Sequence, residues 1–165
     1  MRVSHQASRM RWRVTLFGDL VRRPKDLWLF ARILAWAMAL PALKRAVPLR
    51  LLPRLMWSRP KAKYRTPERR RRIAYLSGLI YNRYGLESWC LERSLILFRL
   101  LSEAGADPML AVGVEKTDNE WRGHAWVVVN GFPFGESADA LERFRPVVIF
   151  TRRGLKDETS AHKFK

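Results

Sequence analysis

The chain contains a single cysteine and only three histidines among its 165 residues. One cysteine excludes an internal disulfide framework, and it also excludes a zinc site built from four thiolates. The cysteine and histidine spacings of zinc fingers and zinc ribbons are absent as well. We therefore expect neither a metal nor another cofactor, and a lone thiol suits the reducing cytoplasm.

Acidic residues are scarce in the first part of the chain. Residues 1–72 contain 20 lysines and arginines but only three acidic residues, whereas residues 73–165 contain 12 of each sign. This asymmetry indicates a surface for an anionic partner, such as an acidic peptide, anionic lipid or nucleic acid. Solvated helix faces would give the same pattern. Nucleic acid is the least expected partner because the helix-turn-helix, zinc-finger and RNP-like motifs are absent.

Long uncharged hydrophobic runs are also missing. The first fifteen residues contain several arginines and no apolar segment of the length found in secretory signals. The most apolar segment, residues 27–43, contains Arg32, and its longest uncharged part is shorter than the roughly 20 residues that cross a bilayer. We expect a buried helix there. The alternative is a helix at the membrane interface, for which Trp28, Trp36 and the flanking basic residues are suited. The expected location is the cytoplasm, with a peripheral position at the inner membrane surface as the alternative.

Hydrophobic periodicity predicts helices in the first two thirds of the chain. The first predicted helix has Asp26 as its N-cap and ends near Leu40. Three prolines restrict residues 48–60 to a short helix at most. Thr66 is the expected N-cap of the next long helix, and Gly105 is the expected end of the helix that follows it.

After Gly105 the hydrophobic period changes from 3.6 to 2, which predicts strands near residues 110–114, 122–129 and 132–136. The last two strands form a hairpin across Asn130-Gly131. Helices followed by an antiparallel sheet indicate an α+β architecture. The predicted divisions are a basic helical extension over residues 1–65, a main domain over residues 66–155 and a polar tail over residues 156–165.

Cys90 lies about two residues inside the predicted helix that begins after Ser88. Free backbone N–H groups and partial positive charge at a helix N-terminus stabilise a thiolate. The same N–H groups can hold an oxyanion. Most free cysteines are small buried side chains instead, so the position of Cys90 leaves both roles open.

His124 is the only histidine in a predicted rigid element, and the length of the hairpin loop decides which residue faces it. A two-residue loop, Asn130-Gly131, places Ser137 opposite His124. A three-residue loop with Gly131 in the left-handed region places Glu136 opposite His124. We favour the second register because it separates large side chains from small ones across the two faces of the strand pair.

In the favoured register, four large side chains share the His124 face: Trp126, Val128, Phe132 and Phe134. A carboxylate opposite an imidazole fixes its tautomer and stabilises the imidazolium. Cys90, His124 and Glu136 would then form a cysteine–histidine–acid arrangement for nucleophilic catalysis. Asp139 is the alternative acid.

The segment CLERSLILFRLLSEAGADPMLAVGV, followed after a short loop by GHAWVVVNG, resembles the transglutaminase-like superfamily. Within that superfamily it is most similar to the lasso-peptide biosynthesis B2 proteins, which are leader-cleaving cysteine proteases. The resemblance is specific over residues 86–148 and less specific over residues 20–60. It implies a transglutaminase-like α+β fold and a cysteine peptidase that removes the leader of a ribosomally made lasso-peptide precursor through a thioester.

The resemblance also implies roles for individual residues. Cys90 matches the family nucleophile, His124 matches the base, and Glu136 stands where the family usually has aspartate. Trp89 and Trp126 are expected to wall the cleft, although both are equally suited to the core. In short members of the family a separate small protein recognises the leader. The expected partners are therefore the precursor peptide, such a leader-recognition protein and the lasso cyclase.

The basic part of the chain is expected to provide a docking surface for one of these anionic partners or for the membrane surface. The four consecutive arginines at its end are the most concentrated candidates: Arg69, Arg70, Arg71 and Arg72. Three other functions are compatible with the sequence. These are acyl transfer by a transglutaminase, a basic adaptor without catalysis, and a degenerate family member that serves as a scaffold.

Overall fold

The computed structural model describes residues 24–83, 89–117, 120–136 and 141–156. Within these ranges, four α-helices precede a five-stranded antiparallel sheet, which confirms the α+β prediction. The helices are α1 (Pro24–Ala46), α2 (Leu52–Met56), α3 (Pro67–Arg83) and α4 (Cys90–Glu103), with a 3-10 turn at Ala62–Tyr64. The strands are β1 (Met109–Lys116), β2 (Trp121–Val129), β3 (Phe132–Pro133), β4 (Arg145–Thr151) and β5 (Gly154–Lys156).

The sheet has the strand order β3-β2-β1-β4-β5, and the helices cover one of its faces. Alternation along β2 separates the two faces, as expected for a strand. Ala125 and Val127 pack into the main core with the helices, whereas Trp126 and Val128 belong to a smaller cluster that includes Leu141. The candidate site is built where α4 meets β2.

Helix α1 is longer than the sequence predicts. It begins at Pro24 and continues past Pro41 to Ala46, so the predicted end near Leu40 is wrong. Asp26 lies in the first turn and is not the N-cap. Burial of one face, which includes Ile33 and Leu40, holds the helix together across the backbone hydrogen bond that Pro41 lacks.

The apolar side chains of α1 belong to the same cluster as those of the later elements. Leu29 and Leu40 of α1 share one buried core with Phe98 of α4 and Phe150 of β4. The predicted division at residue 65 therefore does not separate two hydrophobic cores. By length and composition alone, Asp26–Ala46 could cross a membrane, and 28% of its most apolar window is buried in this protein.

Three buried carboxylates connect α1 to the rest of the fold through ion pairs. The pairs are Asp26 with Arg72 at 2.6 Å, Glu103 with Arg32 at 2.7 Å, and Glu92 with Lys44. Removing one partner from a buried pair leaves an uncompensated charge, which is strongly destabilising. These pairs therefore fix the position of α1 along α3 and α4.

The predicted ends of α3 and α4 are confirmed where the structure describes them. Thr66 Oγ1 accepts a hydrogen bond of 3.1 Å from the backbone N–H of Arg69, which caps α3. Gly105 has a φ of 72° and, with Ala106, donates backbone hydrogen bonds back to the last turn of α4. Helix α4 begins at Cys90 with Trp89 at its N-cap, later than the predicted start, and Ser88 itself lies outside the described residues.

The hairpin between β2 and β3 has a two-residue loop, so the favoured three-residue register is wrong. The paired residues are Val129 with Phe132 and Val128 with Pro133. Asn130 and Gly131 have φ values of 54° and 86°, as a type I′ turn requires. Asn-Gly favours a type I′ turn, whose twist matches that of the flanking strands. This preference outweighs the separation of large and small side chains on which the three-residue register was based. As a result Phe134 packs into the helix-side core and not on the His124 face.

Candidate active site

Cys90 is the first residue of α4, whereas the sequence predicts it about two residues inside the helix. The preceding residue, Trp89, provides no side-chain cap, which leaves backbone N–H groups of the first turn free for other acceptors. The N–H groups of Leu91 and Ala125 donate hydrogen bonds to the sulfur of Cys90. Helix α4 and strand β2 thus both place donors around a half-buried thiol.

The imidazole of His124 lies between two aromatic rings. Its centroid is 6.1 Å from Trp126 and 4.9 Å from Phe144, with interplanar angles of 16° and 29°. The Nε2 atom of His124 is 2.7 Å from Oε2 of Glu136. A hydrogen bond also joins the His124 side chain to the thiol of Cys90. Since Nε2 faces Glu136, Nδ1 is the nitrogen left to exchange a proton with the sulfur.

Glu136 reaches His124 by a bend in the chain and not by cross-strand pairing. In the observed register the position opposite His124 would fall to Ser137, but the strand ends at Pro133. Gly135, with a φ of 78°, then turns the chain so that Glu136 points back to the imidazole. The predicted pairing partner is therefore correct, although its geometric basis is wrong.

Arg93 holds this bend from the second turn of α4. Its Nη2 donates to the carbonyl of Gly135 at 2.9 Å, and its Nη1 lies 3.4 Å from Oε1 of Glu136. Ser94 Oγ, on the same helix, donates a 2.8 Å hydrogen bond to the carbonyl of Ala125 beside His124. From the sequence, Arg93 is expected to lie on the same helix face as Cys90 and to support the structure more than to react. Its contact with Glu136 depends on a bend that no local pattern indicates.

The environment shifts the pKa values of Cys90 and His124 in opposite directions. Burial alone would raise the pKa of Cys90, but the hydrogen bond from His124 and the two backbone N–H donors outweigh burial and lower it. The hydrogen bond to Cys90, followed by that to Glu136, raises the pKa of His124 to about 9, against the opposing effect of burial. The lowered pKa of the thiol and the raised pKa of the imidazole both favour the thiolate–imidazolium form of the pair.

This arrangement provides the parts needed for nucleophilic attack on a carbonyl. The thiolate is the reactive form of cysteine, and an imidazolium beside it can protonate a leaving group. A carboxylate on the far side of the imidazole orients the ring and stabilises its charge. Among the described residues, no group of three or more histidine, cysteine, aspartate or glutamate side chains is placed to hold a metal ion.

The two tryptophans expected to wall the cleft have different surroundings. Trp126 stacks beside His124, so it borders the site. It is also a buried residue, with 6% exposure. Gly113 makes room for its ring, because a Cβ there would lie 2.8 Å from Trp126 and 2.7 Å from the carbonyl of Arg145. Trp89 is half-buried against the helix-side core. Asp139, the alternative acid, lies outside the described residues.

Three of the four consecutive arginines make contacts within the protein. Arg72 pairs with Asp26, and Arg70 donates to the carbonyl of Ala104 at 3.4 Å. The guanidinium of Arg69 lies 4.8 Å from the ring centre of Tyr64. Arg71 is exposed. Docking of a partner on these arginines stays a prediction, and Arg71 is the one whose side chain is most open to it.

Replacing Arg93 with methionine is expected to lower kcat/KM for any reaction at Cys90 by about 10- to 100-fold, because Glu136 loses the contact that aims it at His124. Since Glu136 raises the pKa of His124, the alkaline limb of the pH–rate profile should also move to lower pH. Arg93→Lys keeps the charge but not the two-point contact, so its kcat/KM and its alkaline limb should lie between those of the wild type and Arg93→Met.

The matched control for Arg93 is Arg54→Met, which removes a guanidinium–carbonyl contact with Arg153 elsewhere in the fold. It should leave the position of the alkaline limb unchanged. If the pH–rate profile of Arg93→Met has a lower maximum but an unchanged alkaline limb, then Arg93 stabilises the fold without positioning Glu136.

Comparison with known proteins finds one family, described as the transglutaminase-like superfamily, which matches residues 30–149. The match includes most of α1 as well as α4 and strands β1 to β3. No curated protein and no solved structure matches the chain significantly.

Proposed function

The chain belongs to the transglutaminase-like superfamily, and from this premise we propose that it is a cysteine peptidase that removes the leader segment from a ribosomally made lasso-peptide precursor. The superfamily includes cysteine peptidases as well as transglutaminases, and its members are typically cysteine-dependent enzymes. The finer assignment follows the similarity of the cysteine and histidine segments to the lasso-peptide B2 proteins.

The observation that carries the proposal is the contact series from Cys90 to His124 to Glu136. His124 is hydrogen-bonded to the thiol, and its Nε2 lies 2.7 Å from the carboxylate. The lowered pKa of Cys90 and the raised pKa of His124 match what a thiol nucleophile and its proton donor require. A purely structural cysteine has no need of either shift.

In the first half of the proposed reaction, the Cys90 thiolate attacks the carbonyl carbon of the last leader residue. The backbone N–H of Cys90, at the start of α4, would donate to the oxyanion that forms. The imidazolium of His124 then gives its proton to the departing amine, and the carbon–nitrogen bond breaks. The leader remains attached to Cys90 as a thioester, and the core peptide leaves with a free amine.

In the second half, neutral His124 takes a proton from water, and the resulting hydroxide attacks the thioester carbonyl. The carbon–sulfur bond breaks, which releases the leader as a carboxylic acid and regenerates the thiolate. Glu136 keeps the imidazole in one orientation through both halves. The core peptide released earlier would pass to the lasso cyclase, and a separate small protein would present the leader to the site.

The direct test mixes the purified protein with a lasso-peptide precursor and the small leader-recognition protein, and follows the products by mass spectrometry. The wild type should yield free leader and core peptide. Cys90→Ala should yield neither, because no other residue of the chain carries a thiol. Trp121→Ala, which shortens a side chain that is 68% exposed, should cleave like the wild type.

Adding a primary amine separates hydrolysis from acyl transfer. If the leader appears mainly as an amide of the added amine, the protein is a transferase and the peptidase assignment is wrong. If neither product forms, while the pure protein still binds the precursor or the leader-recognition protein, the adaptor function replaces catalysis.

A further inference from the structure

Helix α1 presents an apolar face to solvent on the side opposite the core. Leu27 is 51% exposed, Trp28 is 61% exposed, Leu34 is 37% exposed and Met38 is 69% exposed. The exposed positions between and beyond them on the same side are alanines, as far as residue 42. The face extends over about 22 Å of helix at 1.5 Å per residue.

A surface helix of a soluble protein ordinarily turns charged and polar side chains to solvent. The outer face of α1, from Leu27 to residue 42, contains no charged side chain at its exposed positions, and its one N–H or O–H group is the indole N–H of Trp28. The one charged residue between these limits, Arg32, points instead into an ion pair with buried Glu103. Since Leu29, Ile33 and Leu40 fill the buried face, the helix is apolar on its exposed side as well as on its core side.

The chain that follows the outer face is strongly basic and also carries exposed leucines. Residues 44–65 contain eight lysines and arginines and no acidic residue. Exposed Arg45 and Arg50 come within this stretch, and so do Leu51 at 40% and Leu55 at 54% exposure. Apolar and cationic groups thus lie next to each other at the carboxyl end of α1.

We propose that the outer face of α1, together with the basic residues that follow it, docks the protein on the surface of an anionic lipid bilayer. Such a surface takes up apolar side chains at the headgroup boundary and attracts lysines and arginines, with Trp28 suited to the boundary itself. The helix would lie along the membrane and would not cross it, because its other face is fixed in the core by buried side chains and ion pairs.

Charge and polarity favour lipid over a protein partner. Protein interfaces have a polar rim and carry roughly one hydrogen bond per 100–200 Å². Over four turns the outer face offers a single N–H donor, the indole of Trp28, which suits a hydrocarbon–headgroup boundary better than a peptide surface. The basic residues beside the face match anionic headgroups, and the arginines of residues 1–23 add charge of the same sign.

The test is flotation of the full chain with vesicles of phosphatidylcholine, alone or with about one third phosphatidylglycerol, at about 0.1 M salt. The wild type should float with the anionic vesicles, and much less with neutral ones. Trp28→Glu/Met38→Glu should bind the anionic vesicles at least tenfold more weakly. Trp121→Glu, at a site that is 68% exposed on β2, is the matched control and should bind like the wild type.

Circular dichroism checks that the variants fold, and the single variant Met38→Glu keeps the test valid if the double variant does not. Equal binding of Met38→Glu and wild type would overturn the proposal, because basic residues alone would then explain the attraction. It is also overturned if the wild type floats with neither vesicle. If the wild type then forms a dimer, or a complex with the leader-recognition protein, and Met38→Glu disrupts it, the outer face of α1 is a protein-binding surface. The readout is flotation and not cleavage, so the outcome is independent of the peptidase assignment.

Discussion

Cys90 in the His124→Ala variant is expected to react with iodoacetamide at pH 7 about 10- to 30-fold more slowly than in the wild type. The reason is the loss of the hydrogen bond and the positive charge by which His124 lowers the pKa of the thiol. In the variant, only the backbone donors would then counteract burial, which raises the pKa of Cys90. An ordinary thiol of pKa about 8.5 is only about 3% thiolate at pH 7, which gives the scale of the effect.

The pH dependence follows from the direction of each shift. In the wild type, the alkylation rate should reach its plateau at a lower pH than in an ordinary thiol, because the pKa of Cys90 is lowered. In His124→Ala the rate should keep rising towards pH 9 and above. Catalysis should also have an alkaline limit near pH 9, where His124 loses the proton that the leaving amine needs.

Glu136→Gln provides the matched control at the third position. Since Glu136 raises the pKa of His124, removing its charge should move the alkaline limit of catalysis to lower pH. The chain has one thiol, so all labelling belongs to Cys90. If the labelling profiles of wild type and His124→Ala coincide, then His124 does not activate Cys90 and the proposed mechanism fails.

Arg32→Met is expected to lower the free energy of unfolding by about 3 kcal/mol. Glu103 is buried, with a side chain that is 2% exposed, and Arg32 contacts both of its oxygens, at 2.7 and 2.8 Å. Removing the arginine leaves a carboxylate that water cannot reach. Arg99, whose Nε lies 3.9 Å from the carboxylate, compensates only in part, which keeps the effect near the lower end of the range for such pairs.

Urea denaturation of three further variants separates the effect of the unpaired buried charge on stability from the effect of lost side-chain packing. Arg45→Met, at an exposed position of the same helix, should change stability by less than about 0.5 kcal/mol. Arg32→Met/Glu103→Met should recover much of the loss, because no charge is then left in the core. Glu103→Met alone should cost less than Arg32→Met alone. A double variant no more stable than Arg32→Met would mean that the packing of Arg32 matters and its charge does not.

The sequence predicted those features that depend on local chemistry. Thr66 and Gly105 occur where helix ends need a cap and a left-handed residue, and both are confirmed. The fold class followed from the change in hydrophobic period after Gly105. Cys90 stood out because a lone thiol at a helix start is an unusual combination, and His124 stood out because the other histidines fall near the chain ends.

The remaining parts of the site depend on contacts between distant segments. Phe144, just before β4, contacts the His124 ring, and Arg93 of α4 contacts the carbonyl of Gly135, and each contact joins segments that are distant in sequence. Glu136 lies beside His124, as expected, but a bend at Gly135 and not the expected pairing brings it there. For Arg70 and Arg72, charge alone suggested exposed docking, but the partners within the fold are set by tertiary packing.

The contact between α4 and β2 has a further consequence for how the quality of a preparation can be judged. Buried thiols ordinarily become more reactive when a protein unfolds, since exposure is all that changes. Unfolding exposes the half-buried Cys90, but it also removes the hydrogen bonds from His124 and from the backbone donors that lower the pKa of its thiol. The pH at which labelling reaches half its maximum therefore separates assembled chains, whose thiol has a lowered pKa, from unfolded chains, whose thiol is ordinary.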